Sequence, residues 1–281
     1  MSIVLEAEAE STANQVVSDH GFKSLPICPF KIARKKEIEI ATRDGMEPGV
    51  SGFLMRVGNA FGIYHSSRIQ NDGFIRFSIA HELGHYFLPG HCDALFMNGN
   101  CVHESRSGTF SGNDYERQAD FFAAALLMPE SLFLPALRNA GSGFHAIGRL
   151  QHLCQTSITA TAIRYARFAE DPIAVIISEG TSISCSFQSE AFKEIHGTHF
   201  FRKGTPVPAG TCTAEFNKDS QKVRRSSKAG AWASLDDWFD DAPQIEIKED
   251  VVGLGSYGKT LTLLFLDDDN SDSLEDDVDD L

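Results

Sequence analysis

The chain has 281 residues, 42% of them hydrophobic, and a formal charge of −14 at pH 7. That length allows two domains and a sizeable core, and no apolar run reaches the roughly 20 residues of a membrane span. Nine carboxylates and no base fall in residues 267–281; subtracting those nine from −14 leaves −5 for the rest, with no basic face of the kind that nucleic acid requires.

Residues 1–20 read as a polar leader, a frayed helix without the basic region and apolar stretch of a signal peptide. The expectation is a cytoplasmic chain. Cysteines stand at 28, 92, 101, 154, 185 and 212, with no framework spacing, and are expected as free thiols. Two strand-like runs, 50–57 and 60–65, flank Gly58-Asn59 as an antiparallel hairpin. The second run offers an edge to which an extended peptide could add as a further strand.

A helix is predicted over 72–88, stopped by Pro89-Gly90. Residues 89–112 form a Gly- and Ser-rich loop of a length more often functional than accidental. A second helix spans 113–128, with Asn113 as N-cap and Pro129 closing it. Further helices are predicted at 130–140, 143–154 and 158–170. From Ile173 the texture turns to strands at 173–178, 182–187, 244–248 and 260–265, which places a domain boundary near Asp171-Pro172. In the tail at 267–281, like charges repel and little can be buried, so it is expected to be disordered.

The chemistry concentrates in the 72–88 helix, which contains His81-Glu82-Leu83-Gly84-His85. Two imidazoles four residues apart share one helix face and can reach one ion. Glu82 sits one step round, where its carboxylate can touch a water on that ion without ligating it. This suits metal-assisted hydrolysis, with zinc as Lewis acid and Glu82 as general base. A third ligand is needed, and Glu116 on the next, largely apolar helix is the candidate, since a buried carboxylate requires a partner. Asp120, one turn beyond, can accept the free ring N–H of a ligating histidine. One zinc per chain is expected, although manganese or iron also accept a His-His-Glu set. Transition-state stabilisers beyond the metal are sought among His103, Tyr115, Tyr64 and Arg76. His91-Cys92 and Cys101–His103 bracket the long loop with ligand-type residues and raise the question of a second metal site.

Phe77-Ser78-Ile79-Ala80-His81-Glu82-Leu83-Gly84-His85, followed by Glu116-x-x-Ala119-Asp120-x-Phe122-Ala123-Ala124-x-Leu126-Leu127-Met128-Pro129, resembles the ImmA/IrrE family of metallo-endopeptidases. The resemblance implies an α+β chain with a zincin-like peptidase core over 21–140. It implies zinc on His81, His85 and Glu116, and Glu82 as catalytic base. The implied substrate is a helix-turn-helix transcriptional repressor, cut to release its regulon. Residues 150–165 are similar to the helix-turn-helix-like segment of IrrE-type members, here 141–171. Only Arg164 and Arg167 stand on its second helix, so packing or substrate docking is expected there rather than DNA contact. Residues 172–266, the smaller β-rich domain, occupy the place of a GAF-like sensory domain. The competing reading is a non-proteolytic metal-binding regulatory protein acting through protein–protein or DNA contacts. Glu82 argues against it, because a binding-only site has little need of a general base.

Overall fold

The structure, a computed structural model, describes residues 2–47, 49–105 and 113–266. The acidic tail and residues 106–112 of the long loop lie outside the described residues. The architecture is mixed α+β and divides into two compact units, Met1–Asn139 with Arg149–Thr161 and Ala140–Gly148 with Ala162–Leu281. Among the described residues no single helix is long and apolar enough to cross a membrane.

The first unit begins with helices α1 (Ser2–Asp19) and α2 (Pro29–Lys35), then strands β1 (Glu39–Arg43), β2 (Gly52–Val57) and β3 (Ala60–Ser66). Next come α3 (Asp72–Phe87), the short α4 (His91–Leu95), β4 (Val102–Ser105), α5 (Asp114–Leu127) and α6 (Glu130–Arg138). Helices α7 (Gly143–Cys154) and α8 (Ile158–Phe168) follow, each with residues in both units. The sheet order is β1-β3-β2-β4, with β1 parallel to β3 and the other pairs antiparallel.

Three expectations change here. The N-terminal segment is an 18-residue helix whose Ala9, Ala13, Val16 and Val17 are buried. That spacing makes one helical face, and it packs on α5. Strand β3 is paired along both edges, so a peptide cannot add to 60–65. The long loop is partly regular, because α4 and β4 lie within it. A four-residue strand with only Ser105 buried leaves too little alternation to be read from sequence.

The α3 helix is apolar on nearly every side, and residues 76–85 are buried, as expected for a helix at the centre of a core. The Asn71 side chain caps it by accepting from the Phe74 amide at 2.9 Å. Asn113 caps α5 in the same way, through the Tyr115 amide at 2.9 Å.

The second unit holds a five-stranded sheet of β5 (Ile173–Glu179), β6 (Ser182–Gln188), β7 (Lys228–Ser234), β8 (Glu246–Gly253) and β9 (Thr260–Phe265) in the order β6-β5-β9-β8-β7. All pairs are antiparallel. Short helices α9 (Glu190–Lys193), α10 (Cys212–Asn217) and α11 (Ser220–Arg224) connect β6 to β7. Ala174, Ile176, Ile247 and Leu264 meet Phe192, Leu235, Trp238 and Phe239 in one core cluster. A fully buried carboxylate, Glu249, sits at the start of α10. It accepts from the Cys212 amide at 3.0 Å, the Thr213 amide at 2.6 Å and the Thr213 hydroxyl at 2.6 Å.

Candidate metal centre

Helices α3 and α5 pack closely where the motif helix carries a glycine. A Cβ built on Gly84 would stand 3.1 Å from Phe122 Cδ1, 3.2 Å from Ala119 Cα and 3.3 Å from Ala119 O. Gly84 lies between His81 and His85, and Ala119 between Glu116 and Asp120. The close approach therefore delivers both acids of α5 to the histidine face of α3.

There, His81 Nε2 and His85 Nε2 stand 3.1 Å apart. Glu116 Oε2 lies 3.5 Å from His81 Nε2, and Glu116 Oε1 lies 3.3 Å from His85 Nε2. A tetrahedral ion with bonds of about 2.0–2.1 Å holds neighbouring ligand atoms about 3.3 Å apart, and the three separations bracket that value. Among the described residues this is the group of His, Cys, Asp and Glu side chains placed to hold a metal. The donor set fits a first-row divalent ion: two imidazole nitrogens, one carboxylate, all three side chains buried.

Electrostatics agree with the geometry. Burial disfavours charge on His81, but hydrogen bonds to Asp120 and Glu116 outweigh it and raise the imidazole to about 10. Burial lowers His85 to about 3, aided by the neighbouring His81 and His103. Burial also works against the Glu116 carboxylate, yet the close ring nitrogens of His103, His81 and His85 hold it well below the ordinary range. The result is a buried anion beside ring nitrogens, an arrangement that attracts a cation.

Glu82 is fully buried, and its carboxylate interacts with the Ser105 hydroxyl without a well-formed hydrogen bond to either oxygen. Burial pushes it up to about 7, against the pull of His81 and the Ser105 hydroxyl. Gly52 on β2 makes room for it, since a Cβ there would stand 3.3 Å from Glu82 Oε1 and 2.8 Å from Tyr64 O. Asp120 Oδ1 lies 2.8 Å from His81 Nδ1. Asp120 accepts the Nδ1–H, which leaves His81 Nε2 as the nitrogen that a metal ion would take on displacing its proton.

The other candidates separate. On β4, His103 Nε2 lies 2.8 Å from Glu116 Oε1, so its ring touches the carboxylate of the ligand set. Tyr115 is 40% exposed and sets its ring edge-on to His91, 4.9 Å between centroids. Tyr64 stacks on Phe53. Arg76 is buried and donates to the Ile27 carbonyl, away from the ligands. The four residues weighed as a second metal site diverge: Cys92 Sγ donates to the His85 carbonyl and Cys101 is exposed. His91 and His103 bond to different partners.

Two side chains near the centre were not singled out from sequence in their actual roles. His91 is fully buried, with Nδ1 3.0 Å from His85 Nδ1 and Nε2 3.0 Å from Gln118 Oε1. Gln118 lies on α5 between the two acids. A glutamine inside an apolar helix needs a partner, and that need was its one visible signal.

Comparison with known proteins covers the segment that carries these residues. Residues 63–165 match the family model described as the IrrE N-terminal-like domain, peptidase M78. The chain is similar to the radiation response metalloprotease IrrE of Deinococcus radiodurans, 26% identical over 170 residues, 54% of this chain and 50% of that protein. It thus spans about half the length of the curated relative it matches. In fold it is similar to a solved Mycobacterium tuberculosis transcriptional regulator, with a TM-score of 0.55 at 14% identity, covering 92% of this chain and 76% of that one. These matches support assigning the segment 63–165, which contains His81, Glu82, His85, Glu116 and Asp120, to the ImmA/IrrE family.

Proposed function

We propose that the protein is a zinc-dependent endopeptidase with a zincin-like core, and that its substrate is a helix-turn-helix transcriptional repressor whose cleavage releases a regulon. The observation that carries the catalytic part is the Glu82 carboxylate, buried and without a well-formed hydrogen bond, beside a convergent His-His-Glu set. His81, His85 and Glu116 would hold the zinc, which would supply Lewis acidity to a bound water and to the scissile carbonyl. Glu82 takes the proton of the attacking water and delivers it to the departing amide nitrogen. With its pKa raised to about 7, it can both accept and release that proton near neutrality. His103 touches the Glu116 carboxylate and stands on β4, so it can also face the carbonyl oxygen as charge develops there.

The substrate strand finds its place at β4. This strand ends the sheet order, and among the described residues no strand pairs with its outer edge. An extended peptide adding there runs past His103. The helix pair α7–α8 is read as packing or docking structure, because Arg164 is buried and its guanidinium lies 4.5 Å over the Phe168 ring. A sensory role for the β-rich unit rests on the family resemblance.

The test is incubation of the metal-loaded protein with a helix-turn-helix repressor encoded beside its gene, in parallel with Glu82→Gln. The expected result is one discrete cut, slowed at least about 100-fold in the variant, while both proteins hold one metal per chain. A cut that persists in the variant, or loss of metal from it, contradicts the assignment of Glu82.

A further inference from the structure

The His91–Gln118 contact continues to the opposite side of α5. Gln118 Nε2 donates to Glu8 Oε2 on α1 at 2.6 Å, across 110 residues of sequence. Four side chains therefore form one chain: Glu8, Gln118, His91 and His85. Gln118 and His91 are buried, and Glu8 is exposed at the outer end.

The direction of every hydrogen bond follows from that end. A carboxylate only accepts, so the NH2 group of Gln118 faces Glu8. The amide oxygen then faces His91 and also only accepts, so His91 Nε2 carries hydrogen. A neutral imidazole has a single N–H, which leaves His91 Nδ1 as acceptor. His85 Nδ1 must donate to it across their 3.0 Å contact. His85 Nε2 is left with its lone pair directed toward His81 Nε2 and Glu116 Oε1, at 3.1 and 3.3 Å. That is the tautomer a metal ligand needs. His81 receives the same instruction from Asp120 in one step, and His85 receives it in three.

We propose that Glu8 is a positioning residue of the metal centre: through Gln118 and His91 its carboxylate sets the hydrogen-bond polarity that holds His85 in its Nδ1–H form, with Nε2 open to the ion. This rests on the reading of His81, His85 and Glu116 as metal ligands. It extends the site to α1, outside the matched segment 63–165.

Glu8→Lys tests the polarity. An ammonium only donates, so it turns the Gln118 amide round and reverses each bond behind it, moving the His85 hydrogen to Nε2. Because Glu8 is exposed, the variant should fold, which its melting curve verifies. Two measurements are made: zinc affinity by competition with a chromophoric chelator, and the His85 tautomer in the metal-free protein from imidazole 15N shifts. Glu8→Lys is expected to weaken zinc binding about 10-fold or more and to move the hydrogen from Nδ1 to Nε2. Glu8→Gln, whose carbonyl oxygen still accepts from Gln118, stays close to wild type. Gln118→Leu cuts the chain, so the Glu8→Lys/Gln118→Leu double variant should match Gln118→Leu alone. An unchanged tautomer in Glu8→Lys, or an effect that survives Gln118→Leu, overturns the proposal. If the wild-type protein binds no zinc, the metal reading falls, and the tautomer shift still decides the role of Glu8.

Discussion

Gly84 controls the distance between the two helices that form the candidate metal centre, and replacing it should loosen the His-His-Glu cluster before it unfolds the protein. In Gly84→Ala the new methyl meets Ala119 Cα at 3.2 Å and Ala119 O at 3.3 Å, where carbon contacts settle at about 3.5–4.0 Å. Helices α3 and α5 must therefore part by about 0.3–0.8 Å. Metal–ligand distances tolerate only about 0.2 Å, so Glu116 is carried out of reach of an ion held by His81 and His85. Stability responds less, since overpacking costs about 1–3 kcal/mol and alanine recovers about 1 kcal/mol of helix propensity. The net loss is about 0–2 kcal/mol. Zinc affinity measured by chelator competition should fall about 10-fold in Gly84→Ala, comparable to loss of a supporting hydrogen bond, and further in Gly84→Val. Melting of the metal-free Gly84→Ala protein should move by only a few degrees. Wild-type zinc affinity in Gly84→Ala would show that the helices are not held at limiting contact, and the account of how the site is assembled would fail.

Removing the acceptor on His81 has a similar effect by a different route. Asp120→Ala should weaken zinc about 10- to 100-fold, while Asp120→Asn, which keeps an oxygen facing His81 Nδ1, stays nearer wild type; equilibrium dialysis of the pair checks both. In the second unit, Glu249→Ala strands two amides at the start of α10, while the Thr213 hydroxyl keeps Thr262 as a partner. At about 1–3 kcal/mol for each buried group left unpaired, a loss of about 3 kcal/mol follows, on the order of 10–20 °C in melting temperature. A calorimetric shift below about 2 °C would show that the buried carboxylate is dispensable.

The candidate metal-binding cluster was legible because long, capped helices announce themselves locally. The four-residue spacing of His81 and His85, the Asn71 and Asn113 caps and the apolar run around Glu116 are all readable within single turns of helix. What escaped was carried by tertiary pairing. The inner face of α1 is two alanines and two valines, and small residues between glutamates read as a polar leader. Strands β1, β4 and β7 are short, mixed in polarity or exposed, so no alternation marks them. The burial of β3 between two partners depends on β1, which the hairpin pattern of β2 and β3 does not reveal. His91 follows Pro89-Gly90 in a five-residue helix, and its adjacency to Cys92 suggested a second metal site. Only the fold shows that the two side chains turn to different partners. The Gln118–Glu8 contact joins residues 110 apart and leaves no local trace.

The segment that matches the family and the piece that can stand alone are not the same. A fragment cut at residue 63 would lose α1, uncovering the apolar side of α5 against which Ala9, Ala13, Val16 and Val17 pack. It would also lose β1 and β2, the strands on either side of β3. An unpaired strand beside uncovered apolar surface is a template for self-association. The sequence upstream of the His81–His85 motif therefore acts as the solubility shield of the matched segment, and recombinant work on it has to carry that sequence.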